Sequence, residues 1–328
     1  MSHPPLRFGI LGVAKINERW LPGFRRARHA DLIGIASRDG KKATRAAEEA
    51  NIPRAYGSYE ELLADPEIQA VYIPLPNVHH DHWTRRAADA GKHVLCEKPL
   101  TTTAPQAREL IEYCRARKVT LMDGFMWPHH PRTARIRDLL DRGTIGKVHR
   151  VDSTFTFQLP LDPGNIRLQA EMGGGSLLDV GCYPVYGIRW AFGEEPVSVF
   201  ARANYLQAVD LDLTGMMWFA DGRVASFDCG FNQPMRQWLE ITGTSGVIRV
   251  HDMWLPDENA AFEIERNGQP TEVIQVSGHD QIACMVDNFA RAAQLGISVR
   301  PDPMEAYRSL RVMDALLQSA SEQRQIDL

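Results

Sequence analysis

The sequence predicts a two-domain chain: an α/β domain with a doubly wound parallel sheet, followed by an α+β domain whose sheet is mostly antiparallel. Three observations predict it. The 328 residues exceed what one domain usually holds. The first third alternates short apolar runs with amphipathic stretches rich in Ala, Arg and Glu, the pattern of strands and helices wound about a parallel sheet. After Gly124 the texture changes to longer alternating runs separated by turn dipeptides, so the division falls between residues 1–124 and residues 125–328.

In the first domain the apolar runs at 6–11, 32–36, 70–73, 93–96 and 120–122 read as strands. Helical patterns lie between them at 16–28, 41–50, 59–64, 81–90 and 105–117, several closed by Gly or polar stop residues such as Gly91. One more helix is expected over 133–141. Alternating runs at 148–157, 197–205, 211–219 and 224–231 then read as antiparallel strands. Asp221-Gly222 and Asn267-Gly268 are hairpin signals, because Gly tolerates the positive φ that such turns require. A helix is expected after Gly173-Gly174-Gly175, and two more, near 281–293 and 303–320, close the chain.

Composition narrows the function. Hydrophobic residues make up 44% and charged residues 24%, the range of ordinary globular proteins, and the net charge of -4 is not segregated by sign. That balance argues against nucleic acid and anionic membrane as partners and leaves small molecules. The five cysteines are odd in number and show no CxxC or zinc-like grouping, so reduced thiols are expected. Met1 to Pro5 leads directly into a strand, and no stretch reaches membrane-spanning length, so the cytoplasm is the expected compartment.

The first strand runs Gly9-Ile10-Leu11-Gly12-Val13-Ala14-Lys15-Ile16 into a helix. In that setting a glycine turn presents backbone N–H groups to a pyrophosphate. Read against G-x-G-x-x-G, the pattern here is Gly12-x-Ala14-x-x-Asn17, with two glycines replaced; an ordinary tight turn is the competing reading. The second strand ends at Ala36 and continues into Ser37-Arg38, where NAD-selective sites place an acid for the ribose hydroxyls. A hydroxyl and a guanidinium, with Lys41 and Lys42 behind them, suit the 2′-phosphate of NADP rather than NAD; a solvated loop arginine is the alternative. The fifth strand leads into Glu97-Lys98-Pro99, a charged pair at the carboxyl end of a sheet strand. Lys98 there can hydrogen-bond a carbinol oxygen and stabilise developing alkoxide, or simply pair with Glu97 at the surface.

Together with these residues, Pro76-Asn77-Val78-His79-His80, the run from Ala90 to Pro99, Gly124-Phe125-Met126-Trp127, the run from Gly173 to Tyr183 and Gly243-Thr244-Ser245-Gly246 make the chain resemble the glucose–fructose oxidoreductase/inositol dehydrogenase (Gfo/Idh/MocA) family. The resemblance implies a Rossmann domain followed by a domain with a large open sheet that often forms oligomer contacts, hence a homo-oligomer, dimer or tetramer. It implies sugars, polyols and related compounds as substrates, with Lys98 at the active centre. By the same comparison Glu97 approaches the nicotinamide ribose, and Pro76 and Asn77 line the dinucleotide cleft. Pro74, His80 and Trp127 complete the candidate cofactor set, with Gly9, Gly12, Ala14, Lys15, Ile16, Ser37, Arg38 and Lys42.

The glycine run Gly173-Gly174-Gly175 enters a helix on which Asp179 and Tyr183, four residues apart, project from one face. Many relatives carry His where this chain has Tyr183; the glucose–fructose oxidoreductase and dihydrodiol dehydrogenase branches carry Tyr. The expected chemistry has Tyr183 exchanging the hydroxyl proton, Lys98 polarising the oxygen, and Asp179 orienting the substrate. Each has a structural rival: Ser176-x-x-Asp179 fits a capping box, and Tyr183 fits a core aromatic. His79-His80-Asp81-His82 is read as a helix entry with Asp81 as N-cap, with no metal assigned. Pro128 stands where many relatives have Arg, and Trp127 either stacks on a sugar or fills a domain seam. The expected function is therefore an NADP-dependent sugar or polyol oxidoreductase. The alternatives on the same fold are a glycoside hydrolase that retains its nucleotide and a non-catalytic NADP-binding sensor.

Overall fold

The computed structural model describes residues 4–257 and 259–328. In chain order the elements are β1 (Leu6–Leu11), α1 (Asn17–Arg26), β2 (Ala30–Ala36), α2 (Gly40–Ala50), β3 (Arg54–Tyr56), α3 (Tyr59–Ala64), β4 (Ala70–Ile73), α4 (His80–Asp89), β5 (His93–Cys96), α5 (Ala104–Ala116) and β6 (Leu121–Asp123). There follow α6 (Pro131–Asp141), β7 (Val148–Gln158), α7 (Cys182–Phe192), β8 (Ser198–Leu206), β9 (Val209–Trp218), β10 (Val224–Gly230), β11 (Asn232–Arg236), β12 (Leu239–Gly243), β13 (Gly246–Val250), β14 (Ala261–Arg266), β15 (Glu272–Gln275), α8 (Gln281–Leu295), α9 (Met304–Glu322) and β16 (Ile326–Asp327). They form two compact units, Met1–His129 with Asp280–Tyr307, and His130–His279 with Arg308–Leu328.

The first unit is built on a six-stranded parallel sheet in the order β3-β2-β1-β4-β5-β6. Its central strands are nearly all apolar and buried, as strands covered by helices on both faces must be. The order reverses between β1 and β4, and in such sheets ligands bind at the carboxyl ends beside that reversal. The edge strand β3 had no sequence signal: it is three residues long and largely exposed. Side-chain caps start the helices locally, Asp39 for α2, Ser58 for α3 and Asp280 for α8.

Helix α8 packs against α1 so closely that a Cβ on Gly23 would enter Ile282. Phe289 from α8 meets Phe8 of β1 at 5.7 Å between ring centres. Asp287 accepts the N–H groups of Arg28 and His29 at 2.7 and 2.8 Å, which ties the end of the helix–strand turn to α8. Burying a side chain such as Phe289 contributes about 1.5–3 kcal/mol.

The second unit carries a ten-stranded sheet in the order β15-β14-β13-β12-β7-β10-β9-β8-β16, with β11 beside β7. Both hairpin signals are turns between antiparallel neighbours, with Gly222 at φ 83° and Gly268 at φ 75°. One expectation is corrected: β7 and β10, read as antiparallel strands, pair in parallel. Between them the chain makes a crossover through α7 and the β8–β9 hairpin, which returns it in the same direction. One face of the sheet is apolar, with Leu213, Met217, Ala225, Phe227, Leu239 and Ile241 buried. Helix α7 lies on it at β7, and α9 at β8–β9, where Leu316 and Phe227 fill the space a side chain on Gly215 would need. The opposite face is a polar lattice: Arg150 holds Asp152, which accepts from Ser226; Arg236 holds Asp228; and Arg249 bridges Glu240 and Glu265. A cavity of about 520 Å³ lies on that face between Asp152, Asp228, Trp238, Glu240, Arg249 and His251.

Candidate active site

In the first unit the candidate residues gather at the carboxyl edge of the parallel sheet. Gly12, at the end of β1, takes φ 137°, and an added Cβ would press on Leu75 Cδ2 at 2.9 Å. The loops after β1 and β4 therefore lie against each other at the sheet reversal, with Pro74 and Leu75 packed on Gly12. Ala14, Lys15 and Ile16 form the turn into α1, their carbonyls accepting from Asn17, Glu18 and Arg19. No side chain caps this helix, so its N-terminus keeps the character of an anion site. Asn17, where a third glycine would stand, is buried and donates Nδ2–H to the Gly12 carbonyl at 2.9 Å, locking the turn from inside. Gly9 has a different cause: a Cβ there would strike Leu62 of α3.

Beyond β2, Ser37 is buried and Arg38 exposed. The next residue is an acid, Asp39, but its carboxylate is engaged: Oδ1 accepts from the N–H groups of Lys41 and Lys42 at 3.0 and 3.2 Å as the cap of α2. The Asp39 N–H in turn donates to Ser37 Oγ at 3.2 Å. Lys41, Lys42 and Arg45 border a cavity of about 440 Å³ that Val13 of the first loop also lines. Arg45 has no place among the residues singled out from sequence; its position one turn beyond Lys41 on α2 is the signal that could have found it.

At the end of β5, Glu97 is half-buried. Its Oε1 accepts from the Tyr72 phenol at 2.7 Å and its Oε2 from the Lys98 N–H at 3.2 Å. Tyr72 is fully buried, its ring stacked on Trp20 at 3.9 Å. Burial pushes the Glu97 carboxyl above its ordinary range, against the pull of Lys98 and of these donors. Neither Tyr72 nor Trp20 was anticipated; both read as core aromatics in an apolar strand and an amphipathic helix. Asp123, at the end of the neighbouring β6, is also buried, with Oδ2 lacking a hydrogen-bond partner, and burial raises its pKa to about 7.

His80 is fully buried, with Nδ1 2.8 Å from the Pro99 carbonyl and Nε2 2.7 Å from the Leu75 carbonyl. It spans the loops after β4 and β5, and burial holds its pKa below the ordinary value although both carbonyls favour the charged ring. Asn77 lies in the 3-10 turn that precedes α4. The expected cap is corrected: α4 starts from His79 without a side-chain cap, and Asp81 sits in the first turn, where both its oxygens accept from Arg85 Nε at 3.0 and 2.9 Å. Among the described residues no group of His, Cys, Asp and Glu is placed to hold a metal ion. Trp127 is fully buried.

In the second unit the glycine run forms a tight descent. Gly173 and Gly175 take φ 72° and 114°, and the Gly175 N–H donates to the Arg167 carbonyl at 2.9 Å. The expected helix start is corrected in two ways. Leu177–Gly181 is a π-helical turn, and α7 follows it. Ser176 makes no capping bond; its hydroxyl donates to Asp210 at 2.6 Å, so the capping-box reading does not hold. Single π turns of this kind recur at functional sites. Asp179, in that turn, accepts from Arg167 Nε at 2.6 Å, while Tyr183 is 4% exposed with its ring edge-on to Phe155 at 5.1 Å. Asp179 and Tyr183 thus share one short segment of the second unit, while Lys98, Glu97 and the loop glycines belong to the first.

Residues 6–125 match the oxidoreductase family with an NAD-binding Rossmann fold, and residues 133–249 match the GFO/IDH/MocA C-terminal domain. The chain belongs to the GFO/IDH/MocA family. The D-xylose 1-dehydrogenase (NADP(+)) 2 of Haloferax volcanii is 37% identical over 98% of this chain and 100% of its own. A 3-ketoreductase from Actinomadura kijaniata, crystallised with NADP and TDP-benzene, superposes with a TM-score of 0.89 at 33% identity, covering 96% of this chain and 98% of its own. An aldose-aldose oxidoreductase from Caulobacter crescentus, crystallised with glycerol, gives 0.91 at 27% identity over 99% of this chain and 100% of its own. Among the described residues of this GFO/IDH/MocA protein no helix is long and apolar enough to cross a membrane. No disulfide links its five cysteines.

Proposed function

We propose that this protein is an NADP-dependent oxidoreductase that moves hydride between the nicotinamide and the carbinol or carbonyl carbon of a sugar, polyol or related compound. The observation that carries the reading is the end of β5: Glu97, held by Tyr72, and Lys98 after it, on the sheet edge where the Gly12 loop lies. The residues present fit a dinucleotide. Gly12 takes the φ of 137° that a glycine turn uses, and the start of α1 has no side-chain cap. Asp39 is engaged as the cap of α2, which leaves the hydroxyl of Ser37 and the guanidinium of Arg38 to meet a 2′-phosphate, and Lys42 adds a second cation. The NADP in the name of the xylose dehydrogenase relative supports the same choice.

The nicotinamide, when bound, supplies or accepts the hydride. Gly12, Ala14, Lys15 and Ile16 shape the loop that holds the nucleotide, with Gly9 packed in the strand beneath it; Pro74, Pro76 and Asn77 border its cleft, with the buried Trp127 behind, and Glu97 faces its ribose. Lys98 donates a hydrogen bond to the substrate oxygen and stabilises negative charge there. Tyr183 exchanges the hydroxyl proton as general acid/base, and Asp179 orients neighbouring hydroxyls. Residues 1–124 carry the nucleotide-binding domain and residues 125–328 the substrate domain, except that Asp280–Tyr307 packs with the first unit; the polar face of the substrate domain's sheet makes the homo-oligomer. Cysteines without disulfides suit the cytoplasm. The test is absorbance at 340 nm with NADP⁺ and a panel of aldoses and polyols led by D-xylose, with the nucleotide released on denaturation assayed alongside. Tyr183→Phe keeps the ring packing and is expected to lower kcat at least about 100-fold with NADP affinity and Tm unchanged. Unaltered turnover in that variant refutes the assignment.

A further inference from the structure

The start of the segment that carries Asp179 and Tyr183 is fixed from outside the segment. Asp210, on β9, is 5% exposed. Its Oδ2 accepts from Ser176 Oγ at 2.6 Å and from the Leu177 N–H at 2.7 Å. The residue before a helix ordinarily supplies such a cap; here Ser176 is itself helical in backbone and its hydroxyl is drawn to the same carboxylate. The other oxygen, Oδ1, lies where a Cβ on Gly175 would stand. Gly175 therefore needs glycine twice over, for its φ of 114° and for the carboxylate against it.

Two bonds pass this constraint on. The Gly175 carbonyl accepts the Asp179 N–H at 3.2 Å, and the Gly175 N–H donates to the Arg167 carbonyl at 2.9 Å. Arg167 and Asp179 are in turn joined through their side chains at 2.6 Å. Gly175, Arg167 and Asp179 so form a closed circuit, with Asp210 packed against Gly175 and bonded to the next two residues, and loosening Gly175 releases both partners of the ion pair together. At the far end the π turn is pinned by Gly181, where a Cβ would strike Cys229 Sγ.

We propose that Asp210 is a positioning residue for the reaction: by holding Ser176 and Leu177 and lying against Gly175 it sets where Asp179 and Tyr183 meet the substrate. The inference rests on the oxidoreductase reading for its kinetic consequence but not for its structural one, and the experiment separates the two. In the full-length protein, Asp210→Ala and Asp210→Asn are compared with wild type by amide hydrogen exchange of the 176–186 segment, by NADP affinity, by Tm and by kcat on whichever aldose or polyol of the panel the wild type turns over. Asp210→Ala is expected to speed exchange of that segment at least about ten-fold and to lower kcat about 100-fold, while NADP affinity stays within about two-fold. Asp210→Asn, which keeps an acceptor oxygen, recovers most of both. The proposal is overturned if the segment stays protected in Asp210→Ala, if it loosens with kcat unchanged while Tyr183→Phe is impaired, or if exchange rises equally through the β7–β10 sheet, which marks global stability alone. If Tyr183→Phe or the substrate panel defeats the oxidoreductase reading, the exchange arm still decides whether Asp210 holds the turn.

Discussion

Replacing Tyr72 with Phe removes a single oxygen from a fully buried ring and leaves its stacking on Trp20 in place. What it takes away is the 2.7 Å bond to Glu97 Oε1. A hydrogen bond to a charged group contributes about 1.5–3 kcal/mol, and because Glu97 is only half-buried the lower part of that range applies, about 2 kcal/mol. For a domain of this size that is a fall of about 4–8 °C in Tm. The pH dependence has a definite sign. Burial raises the Glu97 carboxyl above its ordinary range, and the Tyr72 phenol is one of the groups that pull it down. A carboxyl whose folded pKa is raised favours the folded state in acid, and that advantage is lost as pH rises through the folded pKa. Without the phenol the folded pKa climbs further, so the variant loses more than the wild type over the same rise. Urea unfolding of both proteins at pH 5 and pH 8 measures this: the penalty is expected to be larger at pH 8. Equal penalties at the two pH values, or none at either, refute the argument that Tyr72 holds the Glu97 charge.

Asp123→Asn tests the neighbouring acid. Burial lifts Asp123 from 3.8 to about 7, so its ionisation costs stability that is absent below the lower value and complete above the upper one, about 4 kcal/mol at most. The variant is expected to match the wild type in unfolding at pH 4 and to exceed it at pH 8; a loss at pH 8 refutes this. Arg38→Ala is expected to raise the Michaelis constant for NADP about 10–100-fold through lost charge-assisted bonds to the 2′-phosphate, and that for NAD less than about 3-fold. Initial rates with both nucleotides decide it, and equal changes remove the NADP assignment.

The parallel sheet was legible because its strands are buried on both faces and so read as continuous apolar runs: β1, β4 and β5 lie on the predicted residues. The second unit was less so. Strands β12 to β14 alternate an apolar inner face with the charged lattice of Glu240, Arg249, Glu263 and Glu265, and in pieces of five or six residues such alternation is hard to tell from loop. The parallel pairing of β7 and β10 depends on where the 65-residue excursion over 159–223 returns, which no local pattern records. Likewise the apolar face of α8, with Ile282, Val286 and Phe289, shows periodicity but not which sheet it covers. At the candidate site, residue types were legible and partners were not. Lys98, Asp179 and Tyr183 stood out, whereas Tyr72, Arg167 and Asp210, which hold their surroundings, looked like ordinary strand or loop residues.

The glycines show why a motif alone gives an incomplete account of a site. A glycine reports that something approaches the backbone, and here the approaching group differs each time. At Gly12 it is Leu75, with a φ that side chains avoid, and the turn is closed by Asn17 rather than by a third glycine. At Gly9 it is Leu62, a packing contact within the core, and at Gly174 it is the Arg167 carbonyl. At Gly175 it is a carboxylate. The departures from G-x-G-x-x-G near the N-terminus are therefore compatible with the same loop shape, because Asn17 Nδ2 supplies from a side chain the closure that tight glycine packing would otherwise give. The run Gly173-Gly174-Gly175 serves two jobs: its middle member makes room for the turn bearing Arg167, and its last admits Asp210. The second of these is the one that bears on chemistry, since it fixes the residues immediately before Asp179.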